Sequence, residues 1–229
     1  MEPEPKARRG RPPKGESTLS KGLIVDATFT VIDADGITGV SMRAVARVLG
    51  VDPKSLYNHV DGKDGLLDAV AEALLGGLEL PERTGDPGVD LRAIARAFRR
   101  SALAHPEAAS LVLTRQLASF EGLAPVEAVL TVLRDAGFGD EEAVHLLRAV
   151  LAALIGTLLR EVDAGPTYGT GDAVGIEQRT AALAESGLPA VAAAAPHLAT
   201  FDADLEFEYA MDLALGAVLG RVPASPSAW

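Results

Sequence analysis

Between Asp52 and Lys63 the chain reads DPKSLYNHVDGK, and the side chains of this stretch are suited to contact with a nucleic acid. On a helix that starts at Pro53, Leu56 and Val60 lie four residues apart and face inward, so Lys54, Ser55 and Asn58 point outward with Tyr57 and His59 beside them. In a major groove a lysine reaches guanine O6/N7, an asparagine pairs with adenine, and a serine meets a base or a phosphate. Tyr57 offers a ring face to a thymine methyl or a hydroxyl to phosphate. His59 and Lys63 fall at the helix exit, where phosphates run, and are expected to position the helix rather than read sequence.

Other chemistries find little support. His59, His105, His145 and His197 have no H-E-x-x-H or similar spacing, and there is no cysteine, which excludes thiolate ligands, cysteine nucleophiles and disulfides. No metal and no cofactor are expected. Glu141 and Glu142 open a helix, where negative charge complements the dipole, so they need no acid–base role. With no nucleophile–base constellation the chain is not expected to be an enzyme.

The elements that hold the polar helix are legible. Apolar positions Ile24, Ala27, Val31 and Ala34 mark a first helix from Leu19, with Gly36 placed to end it. Ser41 can cap a second helix, Met42 to Leu49, that buries Val45 and Leu49 and stops at Gly50. Asp52 is an N-cap with Pro53 at the first helical position of a third helix, drawn to about Val60. Ala46, Gly50 and Leu56 supply the small residue at the crossing, the left-handed turn and the apolar anchor of a helix-turn-helix. Asp61 starts a longer helix bearing Leu66, Leu67, Val70, Leu74 and Leu78.

Residues 1–18, rich in Pro, Gly and basic side chains, read as a disordered arm. Its Arg9-Gly10-Arg11-Pro12 is the core of an AT-hook, in which Arg9 and Arg11 would lie along a narrow minor groove. A solvated tail giving only non-specific phosphate attraction is the equally weighted alternative. After a linker at 81–89, helices are expected near 90–104, 106–118, 124–136, 140–163, 174–186 and 203–220, with a mobile glycine-rich insert at 164–175. With 48% apolar residues and 4% aromatics, the fold class is all-α.

Charge is divided unevenly. Residues 1–63 hold ten Lys/Arg against eight Asp/Glu, a balance of +2, while the remainder holds eleven against twenty-four, a balance of −13. Such a chain touches DNA with one end and is repelled by it elsewhere. No apolar stretch follows the basic N-terminus as in a signal peptide, and the run 149–159 between Arg148 and Arg160 is short for a bilayer. A cytoplasmic location with no membrane partner is expected.

SMRAVARVLGVDPKSLYNHVDGKDGLLDAV, at the centre of residues 20–70, resembles the DNA-binding head of the tetracycline-repressor family. Ser41, Arg43, Val45, Ala46, Gly50, Val51, Leu56, Tyr57, His59, Val60 and Lys63 match its pattern, and by that similarity Arg43 reads a base or phosphate. Lys54 and Ser55 depart from the tetracycline repressors at base-facing positions, so the operator sequence does not carry over. FRRSALAHPEAASLVLTR, LRDAGFGDEEAVHLLRAVLAALIGTLLRE and FDADLEFEYAMDLALGAVLG look like the family's effector and dimerisation helices. The metal-chelating histidine of the sixth helix is missing from LVLTR (111–115), so tetracycline–magnesium is not the expected ligand.

The resemblance implies a basic arm (1–18), a helix-turn-helix domain (19–63), a connecting helix (64–80) and an effector-binding and dimerisation domain (81–229). It also implies a homodimer through helices near 140–163 and 203–220. His105, Gln116 and Thr157 are the candidates to orient a small-molecule effector, although His105 suits a cap or core position better. The expected function is a ligand-responsive regulator, a repressor released from a palindromic double-stranded DNA operator by a small apolar effector. The alternative is an architectural DNA-binding protein without an effector.

Overall fold

The computed structural model describes residues 19–114, 122–165 and 168–222. Among them every regular element is helical, apart from one isolated bridge between Thr170 and Thr200. Three helices and the start of a fourth build a small N-terminal head: α1 (Lys21–Gly39), α2 (Met42–Leu49), α3 (Pro53–Leu56) and α4 (Gly62–Gly76). Ile24, Ile32, Val45, Ala46, Leu56, Val60, Leu66 and Val70 form its core. The stripe expected on α1 is buried at Ile24, Ala27 and Val31, but Ala34, two residues before the break at Gly36, is exposed. Gly36 (φ 68°) interrupts the helical dihedrals and one further turn follows to Gly39. On α2, Leu49 is only half-buried, packed at the edge of the core that Val45 fills.

The body is built from α5 (Pro87–Ala104), α6 (Pro106–Thr114), α7 (Ala124–Asp135), α8 (Asp140–Leu159) and α12 (Ala203–Leu219), with α8 running into a π-helical turn (Arg160–Ala164). α5 begins three residues earlier than expected. Asp86 caps it by accepting from the Val89 N–H (2.9 Å), and Pro87 sits in the first turn. One turn on, buried Asp90 accepts from the N–H and the hydroxyl of Thr84, both at 2.7 Å, and lies 3.8 Å from Arg83. The residues that read as a linker are thereby tied to the helix. These hydrogen bonds, led by the Thr84 hydroxyl, hold the Asp90 carboxyl below the usual range against the opposing effect of burial.

Two apolar clusters fill the body. Leu91, Ile94, Val132, Leu133, Phe138, Leu146, Leu215 and Val218 form one, and Ala95, Ala102, Ala109, Leu154, Leu158, Phe207 and Met211 the other. Residues 140–162, counted together, are long and apolar enough to cross a membrane by length and composition alone, which the shorter run 149–159 did not suggest. In this fold the helix instead packs against α7 and α12.

The insert expected to be mobile is held in place from Tyr168 onward. Thr170 donates to the Ala199 carbonyl and accepts from the Phe201 N–H, both at 3.0 Å. The approach requires a glycine beside it, since a Cβ on Gly169 would stand 2.7 Å from the Phe201 Cβ and 2.8 Å from the Thr200 oxygen. Between the two paired stretches come α9 (Ala173–Ala184), expected from sequence, and α10 (Pro189–Ala193) and α11 (Ala195–Ala199), which were not. Alanine-rich and with Pro189 and Pro196 in their first turns, α10 and α11 carry no periodic stripe to announce them.

Candidate nucleic-acid interface

The turn between α2 and α3 is fixed by local chemistry. Ser41 Oγ accepts from the Ala44 N–H (3.1 Å) and starts α2. Gly50 adopts φ 66°, ψ 29°, with its N–H on the Ala46 and Arg47 carbonyls, and Val51 donates to Ala46 at 3.0 Å. A Cβ on Gly50 would meet nothing within 4 Å, so the demand for glycine comes from the left-handed backbone and not from space. Asp52 Oδ1 then accepts from the Lys54 N–H (2.8 Å) and Pro53 enters α3. The helix closes sooner than expected. After Leu56, Tyr57 sits at ψ −13°, and both His59 and Val60 donate to the Leu56 carbonyl, so residues 57–59 form a turn.

The inward pair is as expected: Leu56 is fully buried and Val60 nearly so. Outward, Lys54, Tyr57, Asn58 and His59 are exposed, while Ser55 is half-buried and less free to reach a base. On α2, Arg43 and Arg47 stand one turn apart and both are exposed. Among the described residues, the side chains of Arg43, Arg47 and Lys54 form no ion pair. Arg47 escaped the sequence reading; its signal was the i+4 spacing from Arg43. Lys63 is exposed at the start of α4 and its Nζ lies 3.4 Å from the Thr38 carbonyl, which ties α4 to the end of α1. Arg9, Arg11 and Gln116 lie outside the described residues.

In the body, Leu74, Leu75, Leu78, Phe98, Ser101, Ala102 and Ala109 surround a small apolar pocket of about 10 Å³, the space of a single water. α6 joins this pocket to the head. Ala109 lines the pocket and belongs to a body cluster, whereas Ala108 and Leu111 belong to the head core. His105 caps α5, its N–H on the Ala102 carbonyl, and its ring lies 4.7 Å from that of Phe29 on α1. It thus faces the junction of head and body, not the body pocket. Thr157 is not at the pocket either: its hydroxyl donates to the Ala153 carbonyl (2.9 Å) along its own helix. Ser101 of α5 supplies a polar side chain to the pocket lining.

Comparison with known proteins agrees with this division. Residues 24–70 match the family described as bacterial regulatory proteins, tetR family, and residues 81–218 match the tetracyclin repressor-like C-terminal domain. An HTH-type transcriptional regulator of Saccharopolyspora erythraea is 37% identical over 66% of this chain and 66% of its own length. An HTH-type transcriptional repressor of Streptomyces coeruleorubidus is 34% identical over 64% of this chain, and the match spans 55% of that relative. Among solved structures, ActR of Streptomyces coelicolor in complex with actinorhodin superposes with a TM-score of 0.79 at 25% identity, covering 91% of this chain and all of ActR. A possible TetR family regulator of the same organism superposes at 0.73 and 27% identity, covering 88% of this chain and 99% of its own.

Proposed function

As a member of the tetR family of bacterial regulatory proteins, the chain belongs with transcriptional regulators and not with enzymes, and we propose that it is a cytoplasmic repressor released from a palindromic operator by a small, largely apolar effector. The observation that carries the reading is the set of unpaired cations, Arg43, Arg47 and Lys54, presented on a head whose core is otherwise closed. In our reading Arg43, Arg47, Lys54, Tyr57 and Asn58 meet base edges or phosphates, Ser41, Ser55, His59 and Lys63 hold the helix against the backbone, and Arg9 and Arg11 extend the contact into the minor groove.

The effector enters the apolar pocket of the body. ActR solved with actinorhodin supports a ligand in this fold, and the missing histidine in LVLTR argues against tetracycline–magnesium. A molecule larger than one water must push this lining apart, and a shift of Ala109 carries Ala108 and Leu111 of the head core with it along α6. Ligand therefore favours a head orientation with lower DNA affinity, a coupling of about 1–3 kcal/mol in typical cases.

We take the active form to be a two-fold dimer through α8 and α12. Leu205, Tyr209 and Leu213 are exposed one turn apart along α12, and Ala149, Leu151, Ala152 and Gly156 are exposed on α8. Leu154 and Leu158, by contrast, are used within the chain's own core. An apolar stripe of this kind suits close helix packing, and a dimer presents two heads to two half-sites. Selection of bound DNA from a random pool tests the reading. A palindrome with half-sites spaced by a multiple of about 10–10.5 bp is expected. Uniform binding insensitive to any small molecule would instead establish the architectural alternative.

A further inference from the structure

Three arginines of α5 are committed to acids of neighbouring elements. Arg92 pairs with Glu208 (3.2 Å) and Asp212, Arg96 with Glu208 (2.7 Å), and Arg99 with Asp204 (2.6 Å) and Glu161 (2.9 Å). The fourth, Arg100, is exposed and among the described residues forms no ion pair or hydrogen bond. It shares a helix face with Ala97, Ser101 and Ala104, and that face walls a cleft of about 370 Å³ between body and head. Leu74, Leu78 and Glu79 form the opposite wall, and Phe29 and His105 close one end. The two rings are tilted by 36° with centroids 4.7 Å apart. Leu74, Leu78 and Ser101 line both the cleft and the smaller body pocket, and so separate the two.

We propose that this cleft is a second small-molecule site, for a hydroxylated aromatic carboxylate of one or two rings. Its volume lies in the range of ligand sites, about 300–1,000 Å³. Arg100 supplies the planar fork that binds a carboxylate through two parallel hydrogen bonds. The Phe29 and His105 rings, with Ala97, Ala104, Leu74 and Leu78, provide the apolar and aromatic surface that takes a ring face. Glu79 is an acceptor that repels a bare anion and accepts from a ligand hydroxyl, which sets the class apart from simple carboxylates. Phe29 belongs to the head and Arg100 to the body, so an occupant bears on the angle between them. That regulatory consequence rests on the DNA-binding reading above, but the site itself does not.

The test is a fluorescence titration of the full chain with a hydroxynaphthoate in the absence of DNA. Saturable binding of one probe per chain is expected, weakened at least tenfold by Arg100→Gln and by Phe29→Ala. Naphthol, which lacks the carboxylate, binds at least tenfold more weakly, and Phe98→Leu, which alters only the body pocket, leaves probe binding within twofold. Arg100 is exposed, so its variant keeps the fold, and an unchanged melting temperature checks this. No saturable binding, or binding indifferent to Arg100→Gln, overturns the proposal, as does binding abolished in Phe98→Leu alone. Operator affinity measured on the same preparations separates the two readings. Failure of the probe with operator binding intact ends only the second site, and probe binding with no DNA selected ends only the repressor.

Discussion

The DNA-facing helices of the head and three of the four arginines of α5 use their charge in opposite ways. On α2 and α3, Arg43, Arg47 and Lys54 stand in solvent without acidic partners among the described residues, while on α5 Arg92, Arg96 and Arg99 are all neutralised by acids of α12 and the π-helical turn. Arg99 goes furthest. It holds Glu161 with two hydrogen bonds, caps the face of the Phe207 ring at 4.7 Å, and has its guanidinium pushed above its usual range chiefly by the Glu161 bond. An arginine that finds its counter-ion inside the chain binds elements together; one left without it remains available to an outside anion. A regional count of charge cannot make that distinction, because residues 1–63 are only slightly basic. What distinguishes α2 and α3 is that their cations lack partners among the described residues, more than how many there are.

The contrast can be broken at four places, in order of expected effect. Leu56→Ala empties a fully buried position beneath the DNA-facing surface. A cost of about 2–5 kcal/mol is expected, enough to abolish operator binding while the body keeps its own melting transition. A single transition shifted as a whole would show that head and body do not unfold separately.

Arg99→Gln removes the counter-ion of Glu161 in a pair whose side chains are 14% and 12% exposed. The expected loss is about 2–3 kcal/mol in urea unfolding, from charged hydrogen bonds left unmade and discounted for partial exposure. An unchanged stability would mean that the Arg99 ion pairs do not hold α5 to the π-helical turn and α12.

Arg43→Gln combined with Lys54→Gln should weaken operator binding roughly 10–100-fold while moving stability by no more than about 0.5 kcal/mol. The slope of log K against log salt should fall by about 0.9 for each phosphate that is no longer neutralised. A drop in stability instead would place these residues with the α5 arginines.

The smallest effect is expected at Asp90. Its carboxyl titrates below the usual range when folded, so its stabilising contribution is complete above the ordinary aspartate range and is lost as pH falls through the depressed folded value. Asp90→Asn should therefore flatten the acid limb of the stability profile and lower stability by a constant amount at neutral and alkaline pH. An unaltered acid limb would show that Thr84 gains nothing from the charge.

The head was largely legible in the sequence because its signals are local. Ser41, Gly50, Asp52 and Pro53 each satisfy a backbone requirement within three residues, and α2 falls at its expected bounds. α3 ended early because Leu56 accepts from both His59 and Val60, a closure that periodicity does not register. In the body, the start of α5 was hidden by Asp86-Pro87-Gly88, which has the composition of a linker yet caps a helix. The cleft and the body pocket were illegible for a different reason: Phe29, Leu74 and Arg100 become neighbours only through tertiary packing. Thr157 illustrates the same limit, since a threonine on an apolar helix looks available until its hydroxyl is found bonded to Ala153.

Ala108 and Ala109 follow one another on α6, about 100° apart around the helix, one in the head core and the other against the body pocket. Two such small side chains leave no long rotamer to absorb a shift on one side before it is felt on the other. In the proposed coupling, what crosses α6 is a displacement, stripped of the chemical identity of whatever caused it. If the coupling works as proposed, the pocket wall facing away from Ala109 is free to be exchanged for another specificity while the connection to DNA stays as it is, so the body acquires a new effector without rebuilding its output.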